Sequence, residues 1–477
     1  MNRFHSRIDR RHFLKGLGAT AFATLAAPSW GAVGANQQVR LGLIGCGGRG
    51  NDLLKRFSDV AGTRFVAVAD PDTAQMDRLL KNRGTEIARF TDYRKMLERT
   101  DIDAVVVASP NHWHALHTIH ACQAGKDVYV EKPVIFSIDQ GPAMLAAARR
   151  HNRLVQAGTQ SRSDTGLAAA VDFVRSGALG KITAARGLCF RNRTSIGKRD
   201  QPLQPPYTVD YNLWLGGSRD IPIMRPKFHY DWHWDFNTGN GDIGNQAPHE
   251  FDMICRFLGE PEFAGAMRSV GNRFAWNDAG NTPNVQTCWF ELAGVPVIFE
   301  VNNLWQRPDL NSSPAFKGLR VGVVITCEGG EFIGGTGGGY VVAPDGKTRL
   351  KKFPGDGGAR HQANFIDAVR SRDPKTLNAP LEHSVKSSSL PHIANLSHRT
   401  GEPVPRSKLL DQLPEPVTEV LHRQAKQLAD WSVDTETTPY ILGSEVTVAS
   451  GTVQSPAAAT ALATPPYRAG FGMPAEI

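Results

Sequence analysis

The chain has 477 residues, enough for two or three domains with hydrophobic cores of their own. Its 41% hydrophobic and 21% charged residues are typical of a globular protein and exclude an intrinsically disordered chain. The net charge of +8 does not indicate a nucleic-acid partner, because half of it lies in residues 1–35 and no run of Lys and Arg interleaved with aromatic residues follows.

The first element in the chain is a predicted export signal. Arg10 and Arg11 form a twin-arginine block, and a weakly apolar stretch follows from Gly16 to Pro28. This stretch is too short for a transmembrane helix, which takes about 20 residues. We therefore predict a signal peptide over 1–35, a periplasmic or secreted protein exported by the twin-arginine pathway, and no permanent membrane span. A basic cytosolic arm is the alternative.

Residues 36–160 are predicted to form a Rossmann-type α/β domain. Short β-rich runs alternate with helical stretches, and the runs lie at Val39–Ile44, Phe65–Ala69, Ala104–Val107 and Asp127–Val130. Strand, helix and strand in this order form right-handed βαβ units and hence a parallel sheet. The nearly continuous apolar character of the runs fits strands that are buried on both faces.

The rest of the chain is predicted to hold a second domain and a tail. Over 161–400, several β-type runs indicate an α+β substrate and oligomerisation domain built on a large, mostly antiparallel sheet. Residues 401–477 show little periodicity and are rich in Pro, Thr and Ala, so we expect an extended C-terminal arm on the body of the protein or on a neighbouring subunit. We expect a homo-oligomer, a dimer or tetramer, that assembles through the open face of the second-domain sheet.

A dinucleotide site is predicted where the first strand ends. That strand runs into a complete G-x-G-x-x-G motif, formed by Gly45, Cys46, Gly47, Gly48, Arg49 and Gly50. The glycines allow a tight turn, close approach of the backbone to a pyrophosphate, and close packing of the following helix. Asp70 ends the second strand, where a carboxylate binds ribose hydroxyls and repels a 2′-phosphate. The pattern favours NAD over NADP; a glycine turn without a ligand is the alternative.

Two further loops lie at the same edge of the predicted sheet. Ser109, Asn111 and His114 follow the strand 104–107, and Glu131 and Lys132 follow the strand 127–130. Because doubly wound sheets hold their ligands at the carboxyl ends of their strands, these side chains are candidates for cofactor contacts. The proline after Lys132 disfavours a helical conformation for the lysine and leaves it extended at the mouth of the site.

Four histidines near the same edge raise the question of a metal site. They are His112, His114, His117 and His120. No nearby carboxylate and no HExxH arrangement accompanies them, so no metal is predicted. We expect His114 to lie beside the nicotinamide ring instead.

Three longer motifs complete the pattern: AGKDVYVEKP at 124–133, DYNLWLG at 210–216, and a helical pattern from His361 to Val369. With them the chain resembles the glucose–fructose oxidoreductase/inositol dehydrogenase family, Gfo/Idh/MocA, over about 39–401, and specifically an exported subgroup with a twin-arginine signal. The resemblance implies that Lys132 lies beside the nicotinamide and the substrate, and that Glu131 meets the nicotinamide ribose.

Oxidation of an alcohol needs a general base for the hydroxyl proton. Members of the family usually supply it from Asp-x-x-x-His at the start of a helix, and the resemblance places His249 at the histidine of that motif. Its partner four residues earlier is Asn245 rather than Asp, so we assign His249 as the base and Asn245 to substrate positioning. Asp242 is the nearest alternative carboxylate; a purely structural His249 is the other possibility.

Upstream of this helix lies a segment rich in aromatic residues and histidine. His229, Tyr230, His233 and Trp234 have the composition of a carbohydrate site, because aromatic rings stack on sugar C–H faces while polar groups bind hydroxyls. Buried aromatic packing would explain the same residues. Arg162 also suits a hydroxyl-rich or anionic ligand.

These observations predict an exported, NAD-dependent oxidoreductase that transfers hydride from a hydroxyl of a sugar or glycoside, with C3 as one option. Whether the protein exchanges its NAD or keeps it tightly bound stays open. The first alternative is an NAD-dependent glycosidase, which oxidises C3 transiently, eliminates the aglycone, adds water and reduces the sugar again. A non-catalytic sugar or nucleotide sensor is the second alternative, and the presence of Lys132 and His249 argues against it.

Overall fold

The computed structural model describes residues 38–81, 83 and 86–474. The predicted signal peptide at 1–35 lies outside the described residues. Among the helices of the described part, none combines the length and the apolar character that a membrane crossing requires.

The first sheet is parallel throughout and has the strand order β3-β2-β1-β4-β5-β6 within the described residues. Its strands are β1 Val39–Ile44, β2 Thr63–Ala69, β3 Ala88–Phe90, β4 Ala104–Val107, β5 Asp127–Val130 and β6 Val155–Ala157. Because the order reverses between β1 and β4, a crevice opens at their carboxyl ends. The predicted Rossmann sheet is confirmed; β3 and β6, of three residues each, carry too little pattern to be predicted.

Helices cover both faces of this sheet: α1 Gly48–Ser58, α2 Thr73–Leu80, α3 Tyr93–Leu97, α4 His114–Gln123 and α5 Gln140–Arg150. The carboxylates of Asp72 and Asp92 cap α2 and α3 by accepting hydrogen bonds from backbone N–H groups of the first turn. Each cap stands directly after a strand or its turn, so it determines where the chain leaves the sheet edge and begins the helix.

The second sheet has the order β14-β13-β12-β11-β7-β10-β9-β8-β16-β15, with β17 also paired to β8 and β18 to β17. Its strands are β7 Ile182–Phe190, β8 Gly265–Asn272, β9 Val285–Leu292, β10 Val295–Asn302, β11 Val321–Cys327, β12 Gly330–Gly335, β13 Gly338–Val342, β14 Arg349–Pro354, β15 Glu402–Val404, β16 Tyr440–Leu442, β17 Val446–Ala449 and β18 Thr452–Ser455. The pair β7–β10 is parallel, and the other recorded pairs are antiparallel. The predicted large, mostly antiparallel sheet is confirmed.

The second part of the chain also contains α6 Thr165–Arg175, α7 Tyr211–Leu215, α8 Gly241–Asn245, α9 Pro248–Phe257, α10 His361–Ser371 and α11 Leu381–Arg399. The main core lies between the sheet and α6, α9 and α11. In it, Phe251 of α9 stacks on Phe299 of β10 with 3.9 Å between ring centroids. Gly187 of β7 makes room for this pair, since a Cβ there would lie 2.3 Å from the Phe299 ring. This close packing positions the start of α9 at the crevice.

The C-terminal segment differs from the predicted extended arm. It forms α12 Arg406–Leu409, α13 Glu415–Asp430 and α14 Ala457–Ala463, together with the strands β15 to β18. Helix α13 buries Val417, Val420, Leu421 and Leu428, and all of these except Val420 belong to a cluster on the face of the sheet opposite the main core. These positions recur with a helical period, so burial on the sheet drives helix formation. Around β8, β9 and β10 the face proposed for assembly is therefore covered by the chain itself, and the homo-oligomer stays a prediction.

The Leu421→Ala substitution should show that this helix is an integral part of the fold. Leu421 is fully buried, and removing its side chain should lower the free energy of unfolding by about 2–5 kcal/mol through lost burial and a residual cavity. Urea unfolding followed by circular dichroism measures the change. The exposed Lys426→Ala on the same helix should change it by less than about 0.5 kcal/mol. Equal effects of the two substitutions would contradict the packing of α13 on the sheet.

Candidate active site

A cavity of about 650 Å³ lies at the carboxyl edge of the parallel sheet. One wall comes from the residues that follow β1, β2, β4 and β5. The opposite wall comes from the second part of the chain, namely α7, the 229–233 segment, α8 and the start of α9. The cavity is thus built where the topology opens the sheet, which is where ligands bind in folds of this type.

The glycine turn has the geometry of a phosphate cradle. Gly45 has a φ of +94°, and a Cβ there would lie 2.6 Å from the backbone of Ala108. A Cβ on Gly50 would lie 2.0 Å from the Gly45 carbonyl, so Gly50 lets α1 pack against the strand end without lining the cavity. Gly47 and Gly48 do line the cavity, and a Cβ on either would meet nothing within 4 Å. Side chains at these two positions would occupy the space that a pyrophosphate needs.

Asp70 is held at the end of β2 by the glycine turn itself. One carboxylate oxygen accepts a 2.7 Å hydrogen bond from the backbone N–H of Cys46, and the other accepts a 2.8 Å bond from the N–H of Asp72. The Cys46 side chain is buried in the core, so this residue contributes its backbone. Burial raises the pKa of Asp70 to about 6 against these hydrogen bonds. The carboxylate lines the cavity with lone pairs left for two ribose hydroxyls.

The loop after β4 supplies polar atoms to the same wall. Ser109 and Asn111 line the cavity, and the buried side-chain Nδ2 of Asn111 has no hydrogen-bond partner among the described residues. His114 also lines the cavity, but its two ring nitrogens lie 2.7 Å from the carbonyl oxygen of Pro133 and 2.8 Å from that of Ser109. His114 therefore clamps the two strand-end loops together. An unpartnered buried donor, an open cradle and an acceptor carboxylate in one cavity fit NAD.

Glu131 lines the cavity beside the glycine turn. Its Oε1 accepts hydrogen bonds from Nε and Nη2 of Arg49 at 2.8 and 2.7 Å, and its carboxylate is almost fully buried. Gly158 leaves room for this carboxylate, because a Cβ there would lie 2.7 Å from Oε1. The ion pair links the glycine turn after β1 to the residue that follows β5. It therefore connects two strand ends at the edge of the sheet where the nucleotide site is predicted.

Lys132 and Asn245 meet across the cavity. The Lys132 ammonium donates a 2.7 Å hydrogen bond to the backbone carbonyl of Asn245 and a 3.3 Å bond to its side-chain Oδ1. Burial lowers the pKa of Lys132 from its ordinary value. Asn245 lines the cavity as predicted, but its direct contact is with the lysine. It is a positioning residue that holds the ammonium at the junction of the two walls.

His249 lies at the second position of α9, one residue after a proline that starts the helix. Its imidazole lines the cavity. Burial lowers its pKa well below the usual value, and the nearby Lys132 charge adds to the effect. The ring is therefore neutral at pH 7 and has a nitrogen lone pair available to accept a proton. The neutral ring can accept a proton, but its lowered pKa makes it a weaker base than an ordinary imidazole.

The aromatic segment divides between the cavity and the core. His229, Tyr230 and His233 line the cavity, and His233 stacks on Trp232 with 3.6 Å between ring centroids. The ring of Trp234 lies behind them, only 4% exposed, and borders a neighbouring cavity of about 590 Å³. The predicted contact of Trp234 with a ligand in the main cavity is thus corrected, because its indole is packed beneath the Arg193 guanidinium.

Two other candidate residues from the sequence form ion pairs inside the protein. Arg162 is buried and binds the carboxylates of Asp252 and Glu260, which lie in and after α9, so it fastens that helix and does not reach the cavity. Asp242 is also buried, and both its oxygens accept 2.8 Å hydrogen bonds from Arg193. Burial opposes ionisation of Asp242, but these bonds outweigh it and leave its pKa below the usual value. Neither residue lines the cavity.

The sequence reasoning missed two arginines that do line the cavity. Arg191 and Arg193 follow directly after β7, so their backbone is placed by the sheet. Arg193 pairs with Asp242, and Nη1 of Arg191 donates a 2.7 Å hydrogen bond to Oε1 of Gln246. The signal was present in the sequence, because an Arg-x-Arg directly after a predicted strand places two cations at its end.

Asp70→Ala should weaken NAD binding about 10- to 100-fold, the usual value of hydrogen bonds to a charged acceptor, and should reduce the preference for NAD over NADP. Titration calorimetry at pH 7.5 measures both affinities. In the native protein, NAD affinity should rise between about pH 5 and pH 7 and then level off, because ribose hydroxyls favour the ionised form of a group whose pKa is about 6. Asp70→Asn should abolish this pH dependence. Equal affinity of the native protein for NAD and NADP would contradict the assignment.

Comparisons with known proteins agree with this geometry. The model of the Gfo/Idh/MocA oxidoreductase family, an NAD-binding Rossmann fold, matches residues 39–159. Inositol 2-dehydrogenase of Ralstonia nicotianae is 31% identical over 244 residues, which are 46% of this chain and 72% of that protein. The α-N-acetylgalactosaminidase of Shewanella oneidensis is 30% identical over 171 residues, and the chain spans only 37% of its length.

Solved structures show the same fold over a longer range. The WlbA dehydrogenase of Bordetella pertussis, crystallised with NADH and UDP-GlcNAcA, superposes with a TM-score of 0.56 and 17% identity over 76% of this chain and 97% of that one. An oxidoreductase of Agrobacterium radiobacter in complex with NAD+ and L-tartaric acid gives the same TM-score. The alignment covers most of the Ralstonia dehydrogenase, and the family's nucleotide-binding pattern lies at the strand ends that border the cavity. This chain therefore belongs to the Gfo/Idh/MocA family of NAD-dependent oxidoreductases.

Proposed function

We propose that this protein oxidises a hydroxyl group of a sugar or glycoside with NAD, by hydride transfer. The observation that carries the proposal is that Lys132 and His249 line the same cavity as the glycine turn and Asp70. A proton acceptor and a hydrogen-bond donor for the substrate oxygen thus lie in the same space as the nucleotide site. His229, Tyr230 and His233 add the aromatic and polar surface that suits a hydroxyl-rich ligand.

Bound NAD supplies the acceptor for a hydride from a substrate C–H bond. His249, neutral at pH 7, accepts the proton of the substrate hydroxyl. The Lys132 ammonium donates a hydrogen bond to the substrate oxygen and stabilises the negative charge that develops there while His249 takes the proton. Asn245 holds the ammonium in place from α8. Rigid placement of these groups is what brings the substrate into a reactive geometry.

The glycosidase remains a second candidate, and one structural observation favours it. The 206–230 segment reaches from the second domain to the turn after β2: backbone hydrogen bonds join Thr73 to Thr208 and Asp210 to Pro71, and His229 binds the Asp72 carboxylate at 2.8 Å. This crossing segment lies over the cavity beside Asp70, where it would hinder exchange of the nucleotide. A retained nucleotide suits a reaction that oxidises and reduces the sugar again within one turnover. Several glycosyl hydrolase family 109 proteins are also among the relatives of this chain.

One experiment separates these candidates. The purified protein is first tested for bound nucleotide by native mass spectrometry and then incubated with a panel of aryl glycosides, with and without added NAD. Accumulation of NADH that depends on added NAD, without release of the aryl group, identifies a dehydrogenase. Aryl release without net NADH identifies the glycosidase. Binding of glycosides without either reaction identifies a sensor and would overturn the enzymatic proposal.

His249→Ala and Lys132→Ala should each lower turnover by about 10²- to 10⁴-fold, the usual contribution of general acid–base catalysis. NAD affinity should stay within about threefold in both variants, since the phosphate and ribose contacts lie elsewhere. Steady-state kinetics and titration calorimetry measure the two effects. Exposed Lys426→Ala, on α13, serves as the matched control for the lysine change. Normal turnover of His249→Ala would place the base elsewhere, with Tyr230 and His233 as the remaining candidates that line the cavity.

We also propose export by the twin-arginine pathway, supported by Arg10, Arg11 and the short apolar stretch after them. Replacing both arginines by lysine keeps the positive charge and should leave the protein in the cytoplasm of an expressing bacterium that has this pathway. Cell fractionation and mass determination of the mature N-terminus measure the result. Equal periplasmic amounts of native and variant protein would contradict the proposal.

A further inference from the structure

The substrate side of the cavity contains an unbalanced positive charge. Arg191 makes no ion pair within the described part of the chain; its recorded side-chain partner is the neutral amide of Gln246. The Lys132 ammonium likewise bonds to the neutral oxygens of Asn245. Arg193, two residues further along, differs from both because Asp242 neutralises it with two hydrogen bonds.

Among the described residues, no carboxylate around this region forms an ion pair with Arg191 or Lys132. Asp242 is committed to Arg193 and Glu131 to Arg49. Glu250 is buried behind Gln246, with its Oε2 unpartnered, and burial raises its pKa to about 8, so it is protonated at pH 7. Arg191 and Lys132 therefore both line the cavity near His249 without an ion-pair partner among the described residues, although the Glu131 and Asp242 carboxylates act on Lys132 at longer range.

A guanidinium without an ion-pair partner at a cavity wall is available to bind an anionic ligand. Arg191 is exposed at the cavity wall, and a guanidinium has five N–H donors in a planar fork that matches a carboxylate or phosphate. Its backbone is placed by the end of β7, since the Arg191 N–H donates to the carbonyl of Asn302 on the neighbouring strand β10. The cation is thus presented from a rigid sheet rather than from a mobile loop.

We propose that the substrate carries an oxyanion, as in a uronic acid or a sugar phosphate, and that Arg191 is the residue that binds it. This inference rests on the proposed function for the identity of the remaining ligand as a sugar. Lys132 stays with the reacting hydroxyl, and Arg191 selects the anionic substituent. A neutral sugar would leave Arg191 without an ion-pair partner and should bind more weakly.

The test compares matched ligands that share one sugar ring and differ in the C6 group, which is either neutral or anionic. Methyl glycosides of the gluco, galacto and manno series are each used as the neutral hexoside, the uronoside and the 6-phosphate, with the full-length, NAD-loaded protein. Binding is measured by titration calorimetry and initial rates by NADH formation. We expect the anionic member of at least one series to bind more tightly than its neutral counterpart, with a preference that falls as sodium chloride is raised to about 0.5 M.

Arg191→Gln should reduce this preference about 10- to 100-fold while neutral-ligand and NAD binding stay unchanged. Arg360→Gln, at a side chain that is 78% exposed and outside the cavity, is the matched control and should change nothing. A preference for the 6-phosphate over the uronoside supports the inference and identifies phosphate as the anion. Neutral ligands that bind as well as both anions, an unchanged preference in Arg191→Gln, or no measurable binding of any anion would each overturn it.

The two proposals fail in different ways. If anions bind through Arg191 but neither NADH forms nor the aglycone is released, the proposed reaction is wrong and the proposed anion site is supported. Oxidation of neutral sugars alone, with no effect of Arg191→Gln, would keep the reaction and remove the anion site.

Discussion

The contact between Lys132 and Asn245 is the constraint on which the cavity depends. The Lys132 ammonium, just after the end of β5, donates to two oxygens of Asn245 in α8. This contact joins the parallel sheet to the second part of the chain at the cavity. Burying an ammonium is costly unless its donors are satisfied. The satisfying groups here are neutral oxygens, which hold the lysine in place, and burial lowers its pKa. Burial lowers the pKa of His249 as well, and the Lys132 charge adds to this effect, so the two side chains are linked electrostatically.

Much of the nucleotide half was predictable because it follows from local rules. A glycine turn after an apolar strand, with Asp70 at the end of the next strand, determines the backbone path and the position of the acceptor within some thirty residues. The substrate half depends on long-range pairing that single-residue chemistry does not reveal. Arg162 had suitable chemistry, but two carboxylates from the α9 region bind it in the interior. Arg191 had the same chemistry and no carboxylate partner among the described residues, and only the sheet placed it at the cavity.

The C-terminal segment shows a different reason for a missed prediction. Val417, Val420, Leu421 and Leu428 follow a helical period that the Pro, Thr and Ala content around them obscures. Their burial depends on a face of the sheet that exists only after β8, β9 and β10 have paired. Periodicity indicates a buried side of a helix, but it does not say whether the covering surface belongs to the same chain or to a second copy. The fold resolves this for α13, which packs on its own sheet.

The end of the C-terminal segment then packs against the first part of the chain, beside a second cavity. The Tyr467 hydroxyl donates to Asp139 at the start of α5, Arg468 donates to the carbonyl of Gly216, and the Phe471 ring packs edge-on against Trp113 at 5.7 Å. Tyr467 and Phe471 line this second, smaller cavity, and together with the 206–230 segment these contacts join the two parts of the chain. A hinge motion would have to break all of them at once, whereas local opening of the 206–230 segment breaks only a few hydrogen bonds. The 206–230 segment therefore holds the second part of the chain against the turn after β2 through a small set of hydrogen bonds, beside the Asp70 carboxylate that lines the cavity.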